Sequence, residues 1–133
     1  MPLNVSVVTP EREVWSGEAS FVLARAEGGD IGVYPQHAPF LGALHHAVLK
    51  IEHADGVTLF AVHGGFVEVF EDRVTVLAPV AEVATEIDVD RARRAEEAAE
   101  GALARADDED VRLALLRART RLKTAAELGL VIG

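Results

Sequence analysis

The apolar residues of this chain change period once, near Thr85, and that change divides the sequence into two parts that fold by different rules. Before it, apolar positions come in short β-branched runs. Leu3 to Thr9 is closed by Pro10, Ser20 to Arg25 follows a turn at Gly17, and Ala47 to His53 alternates and then meets Asp55-Gly56. An Asp-Gly pair between two apolar runs is a strong local signal for a hairpin. Val57 to His63, Phe66 to Phe70 and Val74 to Leu77 complete a meander, separated by Gly64-Gly65 and Glu71-Asp72. Short strands with turns every 8–12 residues predict a β-sandwich or barrel over residues 1–84. A segment of that size can bury one small core.

From Thr85 the period is 3.6. Ala92, Ala95, Ala99, Ala102 and Ala106 form one small-residue stripe, and Val111, Leu115, Ala118, Leu122 and Ala125 form another. Between them Asp107 to Asp110 supplies carboxylates suited to an N-cap and to the positive end of a second helix. Thr85 to Asp88 caps the first helix, with Asp88 itself an equally good N-cap, and Gly129 is expected to stop the second. Residues 85–133 therefore read as an antiparallel helical hairpin, and alanine on the facing stripes lets its helices approach closely. Alanine buries little, and isolated helices of this length are marginal in water. The hairpin must rest on another surface, either its own sandwich or a partner. Leu113 and Leu116 point away from the apolar seam and mark a second contact face.

The 133 residues are 50% apolar and 26% charged, as in a globular protein. Thirteen Lys+Arg against 22 Asp+Glu leave a net charge of −9, so the chain as a whole lacks the basic footprint of a nucleic-acid binder. No cysteine is present, which excludes disulfides and thiol chemistry. The first basic residue is Arg12 and there is no run of 18 apolar residues, so neither a signal peptide nor a membrane span is expected, and the chain reads as soluble and intracellular.

Few residues point to catalysis. Ser6, Ser16 and Ser20 are the only serines, and none sits in a Gly-x-Ser-x-Gly turn. His37, His45, His46, His53 and His63 lack ligand spacing, and adjacent His45 and His46 fall on opposite faces of a strand, so no metal site is expected. Gly28 to Gly32 lacks the Lys-Ser/Thr of a phosphate loop and reads as a tight turn. Charge is more informative. Arg112, Arg117, Arg119, Arg121 and Lys123 fall within twelve positions free of acids, leaving eight of the 13 basic residues among all 22 acids. Arg112, Arg119 and Lys123 lie on one flank of the seam, and Arg117 and Arg121 on the other. Such arginines form a solvated face, dock on an acidic partner or bind phosphate.

Particular segments carry a resemblance. They are Val5 to Pro10, Val14 to Gly17, Gly29 to Leu41, Ala61 to Val69 with its Gly-Gly-Phe strand entry, and Ile87 to Ala92 at the opening of the hairpin. In this order and spacing the chain resembles, over essentially its whole length, the epsilon subunit of bacterial F-type ATP synthase. The resemblance implies a non-catalytic subunit of the rotor's central stalk, peripheral on the cytoplasmic face of the plasma membrane. Its sandwich would bind the gamma subunit and sit on the c-subunit ring. Its hairpin would fold down on the sandwich, or extend along gamma towards the alpha and beta subunits and inhibit ATP hydrolysis.

Residue by residue, the loop from Gly29 to Leu41 matches the segment near the c ring, with Asp30 and His37 as candidate contacts. Arg112, Arg119 and Lys123 would form the basic face turned towards acidic beta-subunit segments. No cofactor is required, but in some members ATP binds the folded hairpin. Asp88 and Arg91 match that motif, Glu82 matches an upstream acid, and Arg117 and Arg121 match basic positions of the second helix. The departure is Ala98, where ATP-binding members carry an arginine. Read from the residues alone, the alternative is a free-standing nucleotide-sensing sandwich with a regulatory hairpin.

Overall fold

The computed structural model describes the backbone of residues 1–132 and the side chains of residues 1–130. Among these, ten strands form two five-stranded sheets. β2 (Glu13–Ala19), β1 (Leu3–Val8), β9 (Arg73–Leu77), β8 (Phe66–Phe70) and β5 (Phe40–Ala43) lie side by side in that order in the first sheet. β10 (Ala81–Val83), β7 (Gly56–His63), β6 (His46–His53), β3 (Phe21–Ala26) and β4 (Gly29–Val33) make the second. All neighbours are antiparallel except β1 and β9. A 3-10 turn (Ala84–Glu86) leads into α1 (Val89–Arg105) and α2 (Glu109–Ile132). Sandwich plus hairpin is the architecture the change of period predicts; Gly133, the last residue of the expected hairpin segment, lies outside the described residues.

Alternation explains the core. Leu3, Val5 and Val7 of β1, Val67 and Val69 of β8, and Val74 and Val76 of β9 turn inward and meet Val22, Leu49, Ile51 and Phe60 of the second sheet. β7 departs from the half-buried pattern, since Leu59 to His63 are all buried. Phe60 and Val62 face the sandwich core. Leu59, on the other face, joins Val48, Ala84 and Leu128 in a second small cluster beneath α2. The hairpin therefore rests on the outer face of the second sheet, as its scarcity of apolar volume requires.

Where α2 meets the sheet it uses threonine. Thr120 and Thr124 are buried, and their hydroxyls donate to the carbonyls of Leu116 (2.8 Å) and Thr120 (2.7 Å). Each hydroxyl is thus satisfied within the helix. Against α1 the expected seam forms in part: Ala92, Ala99, Leu115 and Ala118 are buried, whereas Ala95 and Ala106 are exposed.

Four local expectations are corrected. The strands from Ala47 to Leu77 are not one meander: β6 and β7 pair in the second sheet, β8 and β9 in the first, and the chain changes sheet at Gly64-Gly65. Gly28 to Gly32 is not one turn: Glu27 and Gly28 turn the chain, and Gly29–Val33 is a strand paired with β3. Gly17 lies within β2, where a Cβ would stand 3.2 Å from the Trp15 ring. Gly129 does not end α2, which continues to Ile132. The hairpin signals hold. The β6–β7 turn is closed by His53 opposite Gly56, and Glu71 and Asp72, both at positive φ, join β8 to β9. Among the described residues no helix is long and apolar enough to cross a membrane.

Candidate functional site

The register of β10 on β7 sets the first side chain of the site. Ala81 and Val83 pack on the sandwich core, so Glu82 between them points the other way, towards the helices. It stands opposite Ala61, two residues from His63 on the same face. The Oε1 atom of Glu82 accepts a hydrogen bond from His63 Nε2 at 2.8 Å and another from Arg121 Nε of α2 at 2.7 Å. These donors hold the carboxyl below the usual carboxylate range, the His63 bond contributing most, with partial burial opposing and Arg121 adding to the lowering.

Behind His63 lies His46, opposite it in the register, with ring centroids 5.7 Å apart. The His46 imidazole is held below its ordinary value, first by burial and then by His63, Arg117 and His45. Among the described residues, His63 Nδ1 and His46 Nδ1 are both buried without a hydrogen-bond partner.

In front of Glu82 a cavity of about 440 Å³ opens between the 3-10 turn, the first turns of α1 and the middle of α2. Its polar wall comprises Glu82, Glu86, Asp88, Arg91, Arg117 and Arg121, and its apolar side is closed by Ala92, Ala95 and Ala114. All five residues suggested for nucleotide contact (Glu82, Asp88, Arg91, Arg117 and Arg121) therefore border one space. The cavity falls in the size range of small-ligand pockets.

Asp88 is the N-cap of α1, its Oδ1 accepting from the Arg91 N–H at 3.0 Å. Arg121 is committed to Glu82. Among the described residues Arg91 and Arg117 pair with no acid, so their guanidiniums are the ones free to take an anion. Arg91, Ala95 and Ala98 follow at i, i+4 and i+7 on one face of α1. Ala98 lies beyond the cavity wall, and its methyl presents no charge at the position where the resemblance expects an arginine.

The other candidates are dispersed. Asp30, on β4, is exposed and lies 3.8 Å from Arg25, which also approaches Glu127 of α2 at 3.9 Å. His37 is half-buried beyond β4, its Nδ1 donating to the Ala38 carbonyl at 2.6 Å. Arg112 pairs with Asp107, whereas Arg119 is held by Glu96 and Glu100 of α1 at 3.5 and 3.2 Å. Lys123 is exposed and pairs with no acid among the described residues. The basic positions thus do not form one free face in this arrangement: two of the three are engaged within the hairpin or its connection. No group of three or more potential metal ligands converges among the described residues.

One surface escaped the sequence reading. Phe66 and Phe70 of β8, Leu77 of β9 and Leu41 of β5 are exposed together on the outer face of the first sheet. Their alternation with buried Val67, Val69 and Val76 was legible, but apolar residues on both faces of a strand do not say which face is free. Leu113 and Leu116 of α2 are also exposed, as expected.

Comparison with known proteins agrees with this architecture. A family profile described as ATP synthase, Delta/Epsilon chain, beta-sandwich domain matches residues 2–84. The ATP synthase epsilon chain of Streptomyces griseus is 46% identical over 125 residues, covering 93% of this chain and 95% of that one. The epsilon chain of Bacillus pumilus is 39% identical over 128 residues, covering 94% and 98%. Among solved structures, a chain of the Euglena gracilis mitochondrial ATP synthase (OSCP/F1/c-ring) has the same fold, with a TM-score of 0.74 at 20% identity over 99% of this chain and 82% of that one. Sandwich, hairpin and extended sequence identity converge, and the chain belongs to the ATP synthase epsilon-chain family.

Proposed function

We propose that this chain is a non-catalytic central-stalk subunit of a bacterial ATP synthase, and that its hairpin is an inhibitory element held down by ATP. The observation that carries the regulatory part is the cavity at the foot of the hairpin. Its wall takes Glu82 from the sandwich, Asp88 and Arg91 from α1, and Arg117 and Arg121 from α2, so it exists only while α2 is docked. A ligand that needs all three elements binds the docked state alone and shifts the population towards it. Arg91 and Arg117 would take the phosphates, and the alanines would receive the apolar part of the nucleotide.

When the hairpin leaves, Arg112, Arg119 and Lys123 exchange their present partners or solvent for acidic segments of the beta subunit. The exposed Leu41, Phe66, Phe70 and Leu77 face is the docking surface for gamma, since an apolar patch rimmed by charge marks an interaction site. Asp30 and His37 meet the polar loops of the c ring. The chain is then peripheral on the cytoplasmic face of the plasma membrane, held there by the complex.

The test is reconstitution of the enzyme with the full chain or with residues 1–84. Both should join the complex, and only the full chain should inhibit hydrolysis, more strongly at low ATP. Equal hydrolysis with the two chains at every ATP concentration would refute the inhibitory role of the hairpin.

A further inference from the structure

The seat of α2 on the sandwich contains two histidines that the nucleotide cavity does not use. His63, its side chain only 2% exposed, donates through Nε2 to Glu82, while its Nδ1 is buried without a partner among the described residues. His46, facing it across the β6–β7 pair, likewise buries Nδ1 without a partner. The charged and titratable groups that face this pair are few. Glu82 approaches from β10, Arg121 from α2 on the same carboxylate oxygen, Arg117 from α2 on the His46 side, and His45 from the segment before β6. Two of these four are permanent cations, and the one carboxylate already accepts two hydrogen bonds through a single oxygen.

We propose that the His46–His63 pair makes the docking of α2 acid-labile, so that proton uptake beneath the helix releases the hairpin. This rests on the reading that the hairpin moves between docked and released states. A proton taken up by His46 leaves a cation against the His63 ring and beside the Arg117 guanidinium, where the Nδ1 atoms of both rings are buried without a partner among the described residues. Release removes both arginines and admits water, so the released state holds the proton more tightly. The sign follows from linkage: His46 is held below its ordinary value of 6.5 while α2 is docked, and release relieves part of that depression. Docking is therefore fully favoured above that value and weakens as pH falls through it. Glu82, held low by His63 and Arg121, adds a loss of the same sign only in stronger acid.

The chain has no cysteine, so a distance probe can be placed without background. Ala54→Cys in the β6–β7 turn and Ala126→Cys on the exposed side of α2 would carry a fluorophore or spin-label pair on the full chain. At pH 8 the short-distance population is expected to be the larger one. Between pH 6.5 and 5.5 a long-distance population should grow, by up to about tenfold per pH unit for each linked proton, while circular dichroism of the strands stays unchanged. His46→Gln combined with His63→Gln should remove the pH dependence. If that variant fails to fold, Arg117→Met should move the release to lower pH, because it removes a cation from the docked state alone.

A distance distribution that does not change from pH 8 to 5.5 would overturn the proposal, as would acid release that persists unaltered in the histidine variant. ATP added to the same labelled chain separates the two ideas. Closure by ATP without a response to pH defeats the histidine latch and leaves the nucleotide reading standing. A pH response without one to ATP does the reverse.

Discussion

Glu82 and Arg121 are 39 residues apart in the chain, yet one oxygen of the Glu82 carboxylate accepts the Arg121 Nε–H at 2.7 Å and so ties the last strand of the sandwich to the middle of the second helix. The same oxygen holds His63. One side chain thus belongs at once to the sandwich, to the hairpin and to the wall of the cavity between them.

Replacing Glu82 with alanine should therefore loosen the hairpin selectively. It leaves His63 and Arg121 without their acceptor, a loss of about 1–3 kcal/mol for part-buried groups. Hydrogen exchange should show the amides of α2 losing protection while those of β1, β8 and β9 keep theirs. Uniform loss of protection across both parts would mean that the chain unfolds as one unit.

Asp88 separates a structural role from a ligand role. As an N-cap it contributes about 1 kcal/mol, which Asp88→Asn retains and Asp88→Ala removes. Thermal unfolding should distinguish these two variants. Both remove the carboxylate from the cavity, so any effect on ATP affinity that follows charge should be shared by the two.

The backbone at Gly65 allows no substitution. Its φ is +101° and an added Cβ would stand 2.1 Å from the Leu77 carbonyl oxygen, where the chain crosses from the second sheet to the first. Gly65→Ala should cost more than about 2 kcal/mol and lower the melting temperature of the whole sandwich. Gly28→Ala, with no atom within 4 Å of its Cβ and no positive φ, should be close to neutral in the same assay.

How far these features could be read from the sequence depends on how local each is. Strands β6 to β9 announced themselves through alternation and turn residues. β2 hid because it mixes exposed polar residues with Gly17, and β4 because Gly29, Asp30 and Gly32 look like a turn until β3 supplies a partner. The end of α2 was placed too early because one glycine costs a helix only about 1 kcal/mol, which the packing of Leu128 against Val48 and Leu59 offsets. Thr120 and Thr124 were missed as buried positions because their polarity is satisfied inside the helix. For the cavity, no spacing rule links Glu82 to Arg121. Their association came from the resemblance, and the strand register explains it.

Truncation after Ala84 should leave a folded sandwich, since the main core draws only on residues before that point. It uncovers Val48 and Leu59, so the fragment should be less soluble than the full chain while keeping strand circular dichroism. An unfolded fragment would show that the hairpin is required for the fold.

The most direct test of the central claim is calorimetric titration of the full chain with ATP, beside a variant carrying Arg91→Ala and Arg117→Ala. Binding by the parent chain and its loss in the variant are expected, because these guanidiniums are the cavity's unpaired cations among the described residues. No heat at millimolar ATP, or binding unchanged in the variant, would contradict the claim.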